Sequence, residues 1–302
     1  MNWWREFADR IRHDVPAGRQ TWFRMGGPVR HLARPRDAED LAAIVRRASA
    51  EGVPVKVLGA GANVLISDDG FDGLVVRLDA APFRQIRRDG NTIVAGAGVD
   101  LMRLLKWCCG KGLAGLEGLA GIPASIGGGV CMNAGGRFGS FSDVVSRVWL
   151  IGDEGEVEGW DRSRLGFGYR GTNIGRRIVL AAELELVEED PQRTRRHYEQ
   201  CLGFKQRSQP LAQRTAGCVF KNPGEQSAGA IIDRAELKGA SVGQARVSRR
   251  HANFIEAHPG ATATDVLRLI DVVRKTVRQR SGIELELEID VWRPARVREC
   301  AA

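Results

Sequence analysis

The segment "LGAGANVLI", residues 58–66, constrains the fold more than any other. It sets a glycine-alanine-glycine turn between two short apolar runs, Val53 to Leu58 and Val64 to Ile66, and no helical period follows it. The dinucleotide fingerprint needs strand, glycine loop and helix in succession, so this chain uses another fold. No G-K-[ST] occurs, which removes the P-loop. A short glycine turn exposing several N–H groups can still form a nest for an anion, and Asn63 adds an amide donor. A second glycine-rich stretch, "GIPASIGGGVCMNAGG", has no clean period and carries Ser125 and Asn133 as polar handles. Tight backbone packing would explain either loop alone. Two such loops in one α+β unit favour a large phosphorylated cofactor.

The surrounding pattern is mixed. Asp37 caps an expected helix with Asp40 three residues on, and Leu41, Ile44, Val45 and Ala48 form its apolar face before Gly52 ends it. Gly70 and Gly73 bracket an expected turn ahead of the strand "LVVRL". "TIVAGAGVDLMRLLKWCCGKGL" reads as strand, turn and helix, with Leu101, Leu104, Leu105 and Cys108 on one face, so Cys108 belongs to the core. "RVWLIGDEGEVEGW" is a hairpin turning at Asp153-Glu154-Gly155, and "RRIVLAAELELVEED" a long strand. Beyond about residue 190 the chain becomes polar and helix-like, then proline-broken. The last helix is capped at Thr264, runs Val266, Ile270, Val273 and Val277 along one face, and stops at Gly282. The segment from Ile283 to Val291 alternates apolar residues with Glu284, Glu286, Glu288 and Asp290, the signature of a half-buried strand.

Composition narrows the function. The 302 residues carry a net charge of +8, but the arginines are scattered and no aromatic-interleaved basic stripe exists, so nucleic acid is not an expected partner. No apolar stretch reaches the ~20 residues of a membrane span, and the charged N-terminus has no secretory core. The six cysteines, Cys300 included, contain no C-x-x-C pair, so neither a metal site nor a disulfide framework is expected. A reducing cytoplasm is the expected setting. Within "TAGCVFKNP", Cys218 is open to four readings: strand filler, metal ligand, nucleophile or proton donor.

The ordered motifs decide among them. "TWFRMGG", "VLGAGANVLISDDGFDGLVV", "GLEGLAGIPASIGGGVCMNAG", "FGYRGT", "AGCVFKNP", "AGAIIDRAELKGASVGQARVSRRHANFI" and "LELEIDVW" occur in that order. Spanning roughly residues 19 to 292, they resemble the UDP-N-acetylenolpyruvoylglucosamine reductase family of peptidoglycan precursor synthesis. The resemblance implies an α+β fold: a two-lobed FAD-binding domain of the vanillyl-alcohol-oxidase (PCMH) type over 1–78 and 79–198, then an α+β substrate-binding domain over 199–302. The shorter of the family's two types is implied, without the tyrosine-bearing insertion, and a monomer is expected. FAD contacts are implied at Gly59, Ala60, Gly61, Ala62, Asn63, Ile122, Pro123, Ser125, Gly127, Gly128 and Asn133. The family usually has serine at 62 and glycine at 124; losing the hydroxyl removes one hydrogen bond, about 0.5–1.5 kcal/mol. No histidine in these loops could tether the flavin, so FAD is expected to be non-covalent, with NADPH as cosubstrate.

The implied reaction reduces an enolpyruvyl ether to a lactyl ether. Hydride passes from NADPH through flavin N5 to C3 of the UDP-sugar substrate, and a proton must reach C2. Arg170 resembles the family arginine that grips the carboxylate and enolate oxygen with a guanidinium fork. Glu288 matches the second glutamate of the terminal strand motif, with Glu286 on the same face as a possible sharer of its role. Cys218 stands where the family usually has serine as the acid. A thiol of pKa about 8.5 is protonated at neutral pH and is a far stronger acid than an alcohol, so it can donate to the carbanion, leaving a thiolate that Lys221 or Arg170 could stabilise. Tyr169, Lys221 and Asn222 are implied substrate contacts; Arg207, Lys238 and His251 are weaker candidates. The alternatives are another FAD-dependent oxidoreductase, such as an oxidase, or a catalytically weakened paralogue on the same fold.

Overall fold

The computed structural model describes residues 2–294; Cys300 and the end of the expected third domain lie outside them. Strands β1 (Ile11–Val15) and β2 (Val29–Ala33) precede helix α1 (Ala38–Ala50). The Asp37 carboxylate caps that helix by accepting the Asp40 N–H at 2.9 Å, and Leu41, Ile44, Val45 and Ala48 are buried. Strands β3 (Val55–Val57) and β4 (Val64–Ile66) flank the glycine turn, and β5 (Phe71–Val76) follows. Gly73 lies inside β5 rather than in the expected turn. The reversal falls earlier, where the Ser67 carbonyl accepts the Gly70 N–H at 2.9 Å.

Strands β6 (Ile86–Asp89) and β7 (Thr92–Gly96) lead to α2 (Leu101–Gly110), capped by Asp100 through the Arg103 N–H at 2.8 Å. Cys108 is fully buried in it, as the helical face implies. A short helix α3 (Ile126–Cys131) then occupies the aperiodic glycine stretch. Strands β8 (Val145–Ile151) and β9 (Val157–Asp161) form the expected hairpin, and β10 (Ile178–Glu185) precedes α4 (Pro191–Ser208). The rest of the chain holds α5 (Ala228–Arg234), β11 (Ser241–Val242), β12 (Ala245–Val247), β13 (Ile255–Ala257), α6 (Ala263–Ser281) and β14 (Asp290–Trp292). No helix among the described residues is long and apolar enough to cross a membrane.

Two compact units result, each threaded by several segments. The first takes the chain up to Ile11, Ala33–Ala60 and Val75–Leu211; the second takes Arg12–Leu32, Gly61–Leu74 and the chain from Ala212. The expected partition by chain order, 1–78, 79–198 and 199–302, differs most in its first part, because Arg12–Leu32 and Gly61–Leu74 belong to the second unit, and differs again at α4. Cys201 and Lys205 of that helix are buried within the first unit, so the change of composition near 190 marks a surface helix rather than a boundary.

The first unit is built on an antiparallel sheet in the order β9-β8-β10-β7-β6. In the second unit, β1, β2 and β5 lie side by side in that order, β11-β12-β13 form an antiparallel sheet, and β14 pairs in parallel with β4. Its core gathers Phe220, Val247, Ile255, Val266, Ile270, Val273 and Val277 with Phe23 and Leu65.

Two expectations at its C-terminal end are corrected. Thr262, not Thr264, caps α6, because only Thr262 has an acidic residue three positions on to complete a capping box with Asp265. Thr264 instead donates its N–H and hydroxyl to Asp68, at 2.8 and 2.6 Å, and Ala263 donates to the same carboxylate at 3.0 Å. Burial opposes ionisation of Asp68, but these bonds outweigh it and hold the carboxyl below its usual range. Asp68→Ala is expected to lower stability by about 1–2 kcal/mol in urea unfolding; an unchanged midpoint would assign the cap to Thr262 alone. Gly282 ends α6 at φ 70°, as expected. The alternating segment after it is extended, yet only Asp290–Trp292 forms a ladder strand. Before it, Leu287 makes an isolated bridge to Phe220, flanked by main-chain bonds at Glu286 and Glu288.

Between β1 and β2, the Nδ1 atoms of His13 and His31 are 2.8 Å apart, so one ring donates to the other. Burial, then the charges of His13 and Arg30, push His31 down to about 4. The folded value lies below the ordinary 6.5, so the unfolded chain takes the proton more readily and stability falls as pH drops from about 6.5 to 4. The expected loss is roughly 2–3 kcal/mol at the acid end. His31→Asn should flatten that slope in urea midpoints measured across the window; an unaltered slope would assign the acid lability to other groups.

Candidate active site

In the first unit Gly59 approaches the second glycine-rich stretch. A Cβ added to Gly59 would come within 2.3 Å of Ser125 Oγ. Among the described residues, the main-chain N–H groups of Gly59, Ala60, Gly61 and Ala62 donate no hydrogen bond. Gly61 adopts φ +70°, and a side chain there would press on the Gln20 carbonyl at 2.7 Å, so only glycine turns the chain this way. Unused donors at Gly59 and Ala60, beside a serine hydroxyl and carrying no side chain larger than a methyl, fit a pyrophosphate group.

The other loop residues divide between lining and packing. Ile122, Pro123 and Ala124 are half-buried, Ser125 is buried and Gly128 is exposed. Ser125 Oγ accepts the Gly128 N–H at 3.3 Å, capping α3. Gly127 has a packing reason of its own: its N–H donates to the Ala97 carbonyl at 2.9 Å, and a Cβ would lie 2.9 Å from the Ala97 methyl. Alanine at 124 brings no positive φ, so the departure from the family's glycine there carries no backbone strain.

Asn133 has its amide engaged within the protein. Its Nδ2 donates to the Gly168 carbonyl at 3.0 Å and its Oδ1 accepts the Ser142 N–H at 3.0 Å. It thereby fastens the end of α3 to the turn that bears Tyr169 and Arg170, which Thr172 also anchors through its hydroxyl to the Cys131 carbonyl at 3.3 Å. The Gly168 N–H closes that turn on the Gly171 carbonyl at 3.0 Å. Arg170 sits at its corner with φ +57°, a conformation that costs a non-glycine residue energy and clusters at functional sites. Its guanidinium carbon lies 5.1 Å from the centre of the exposed Tyr169 ring.

A second cation in this unit escaped the sequence reading. Lys205 is buried in α4 and its Nζ donates to the Gly118 carbonyl at 3.4 Å. Burial, with repulsion from Arg170, brings it down to about 8. Nothing in "CLGFKQRSQP" separates this lysine from its solvated neighbours, because α4 has only a thin apolar face.

In the second unit, Cys218 and Glu288 belong to neighbouring extended segments. Phe220 bridges Leu287 in antiparallel fashion. The Glu288 N–H donates to the Val219 carbonyl at 2.8 Å, and the Lys221 N–H to the Glu286 carbonyl at 2.9 Å. Cys218 bridges Phe254 on the opposite side and is half-buried, as is Glu288. Glu286 is exposed and lies 3.5 Å from Lys221 Nζ, which leaves Glu288 the more enclosed of the two carboxylates. Asn222 Oδ1 accepts the Ala228 N–H at 2.9 Å at the start of α5. Asn63 ties the glycine loop to this strand: its Nδ2 donates to the Glu288 carbonyl at 3.1 Å, and its own carbonyl accepts the Asp290 N–H at 2.8 Å. Among the weaker candidates, Lys238 pairs with Asp233 at 2.6 Å, Arg207 is exposed, and His251 is pushed down by burial. Among the described residues no acidic, histidine or cysteine cluster could hold a metal, and the five cysteines are free thiols.

Two family models match the chain. A family model for an FAD binding domain matches residues 29–159. A model for the C-terminal domain of UDP-N-acetylenolpyruvoylglucosamine reductase matches residues 209–292. The reductase of that name from Heliobacterium modesticaldum is 41% identical over 290 residues, covering 95% of this chain and 92% of that protein. The one from Moorella thermoacetica is 42% identical over 284 residues, covering 94% and 93%. The crystal structure of UDP-N-acetylenolpyruvylglucosamine reductase from Thermus caldophilus superposes with a TM-score of 0.82 at 37% identity, covering 94% of this chain and all of that one.

Proposed function

The chain belongs to the UDP-N-acetylenolpyruvoylglucosamine reductase family, and we propose that it reduces the enolpyruvyl ether of that UDP-sugar to the lactyl ether, with NADPH as the electron donor. It is a flavin-dependent oxidoreductase by membership. The observation that carries the finer reading is the pairing of the Cys218 segment with the Glu286–Glu288 segment, itself fastened to the glycine loop through Asn63.

The N–H groups of Gly59–Ala62, with Ser125 beside Gly59, would hold FAD, which would supply a two-electron relay between NADPH and the substrate. The remaining work falls to side chains. Arg170 grips the substrate carboxylate through two parallel N–H donors, and so favours the enolate in which the C2 charge spreads onto that group. Cys218 delivers its thiol proton to C2. Lys221 and Asn222 bind the substrate, and Glu288 stands as hydrogen-bond partner or second acid near C2. A cytoplasmic setting keeps the Cys218 thiol reduced.

The test is spectroscopic. Purified protein should be yellow, its flavin band should bleach with NADPH, and the enolpyruvyl nucleotide should restore it much faster than air does. Restoration by air alone would make the protein an oxidase. Bleaching that neither restores would make it a weakened paralogue.

A further inference from the structure

Asn253 lies behind the segment that bears Cys218, and no motif-based assignment gives it a role. It is almost wholly buried, 3% exposed. Its Oδ1 accepts the Phe220 N–H at 2.9 Å and its Nδ2 donates to the Phe220 carbonyl at 2.8 Å. Both main-chain groups of one residue are thus answered by one carboxamide, as a neighbouring strand would answer them. The other edge of the same segment is already paired, through Val219 and Lys221, with Glu288 and Glu286. Asn253 adds a third tie with its carbonyl, which accepts the Val219 N–H at 2.8 Å. Asparagine is the residue that fits: a shorter side chain would strand a buried donor and a buried acceptor, and a carboxylate would set an oxygen against the Phe220 carbonyl.

We propose that Asn253 is a positioning residue for proton delivery, fixing through Phe220 the placement of Cys218 and Asn222 relative to the Glu286–Glu288 segment. This rests on the reductase reading above. Phe220 lies two residues from Cys218 on one side and two from Asn222 on the other, so a shift at Phe220 moves both. Displacement of a reacting group by about 1 Å costs on the order of 100-fold in rate. Binding of the flavin and its reduction involve other elements and should not follow.

The experiment uses the FAD-loaded full chain and follows the flavin band in the two half-reactions separately. Asn253→Ala is expected to leave bleaching by NADPH within about twofold of the parent while slowing restoration by the enolpyruvyl nucleotide about 10- to 100-fold. Asn253→Asp supplies the readout that a purely structural residue would not give. An ionised aspartate can accept from the Phe220 N–H but cannot donate to its carbonyl; a protonated one can do both. Restoration in this variant should therefore recover relative to the parent as the pH falls, and it remains informative if the alanine variant does not fold. Parental restoration in Asn253→Ala would overturn the assignment. So would a parallel fall of both half-reactions with thermal stability, or an aspartate variant whose pH profile tracks the parent. Failure of the parent itself to be restored by the nucleotide would instead remove the reductase reading on which the assignment rests.

Discussion

Replacing Cys218 by alanine is expected to slow restoration of the flavin by the enolpyruvyl nucleotide about 10²- to 10⁴-fold, the range of a lost general acid. Bleaching by NADPH should be untouched, since no proton reaches substrate carbon in that half-reaction. The fold should tolerate the change, since Cys218 is half-buried and its main chain bridges Phe254. Cys218→Ser should keep measurable turnover, because a hydroxyl has the proton but releases it less readily than a thiol. Its rate should also lose any alkaline limb that comes from thiol ionisation. Parental restoration in the alanine variant would move the acid elsewhere, with Glu288 the first place to look.

The second large effect belongs to Arg170. Arg170→Lys is expected to slow the same half-reaction about 10²- to 10³-fold, as for loss of a preorganised donor to developing negative charge. The substitution is a clean one. Arginine and lysine bear the same backbone cost at φ +57°, so the turn closed by Gly168 and Gly171 should keep its shape while the planar fork is lost. Stability measured alongside should stay within about 0.5 kcal/mol of the parent, the range for changes that leave packing intact. Unchanged kinetics would shift the carboxylate contact to another cation, and buried Lys205 is available in the same unit.

The sequence made some of this legible and hid the rest for identifiable reasons. Local rules worked where a single element decides its own fate. Asp37 caps α1, the Leu101–Cys108 face is buried, the hairpin turns between β8 and β9, and Gly282 stops α6. They failed where tertiary contacts override propensity. Residues 126–131 read as loop because three consecutive glycines disfavour helix; they coil because Ser125 caps them and because bare backbone lets Gly127 reach Ala97 and Gly129 reach the Phe141 ring. The polar face of α4 read as a boundary, although its few buried positions bind it to the first unit. The strict alternation after Gly282 read as a strand over Ile283–Val291, but only Asp290–Trp292 forms one, because periodicity could not tell that its partners would be short irregular segments.

For the candidate site, resemblance named the motif residues but not the residues that support them. Asn133 was expected to face the cofactor; its amide is engaged by Gly168 and Ser142, which makes it a strut for the Arg170 turn. Asn253 and Asp68 act on main chain far away in sequence, and no local pattern announces such a partner.

The parallel pairing of β14 with β4 has a consequence for how the protein is made. Asn63 and Glu288 are 225 residues apart, so one side of this junction leaves the ribosome early and must wait for nearly the whole chain to be translated. Until then β4 presents an unfilled edge, the kind of surface on which nascent chains mispair. A message cut short even slightly before residue 283 would yield a polypeptide whose first unit is complete in sequence but in which Asn63 and Val219 lack the Glu288 segment they hold. Such a product should fold in part and stay inert, so that translation of the segment from residue 283 to Trp292 becomes the step on which activity waits.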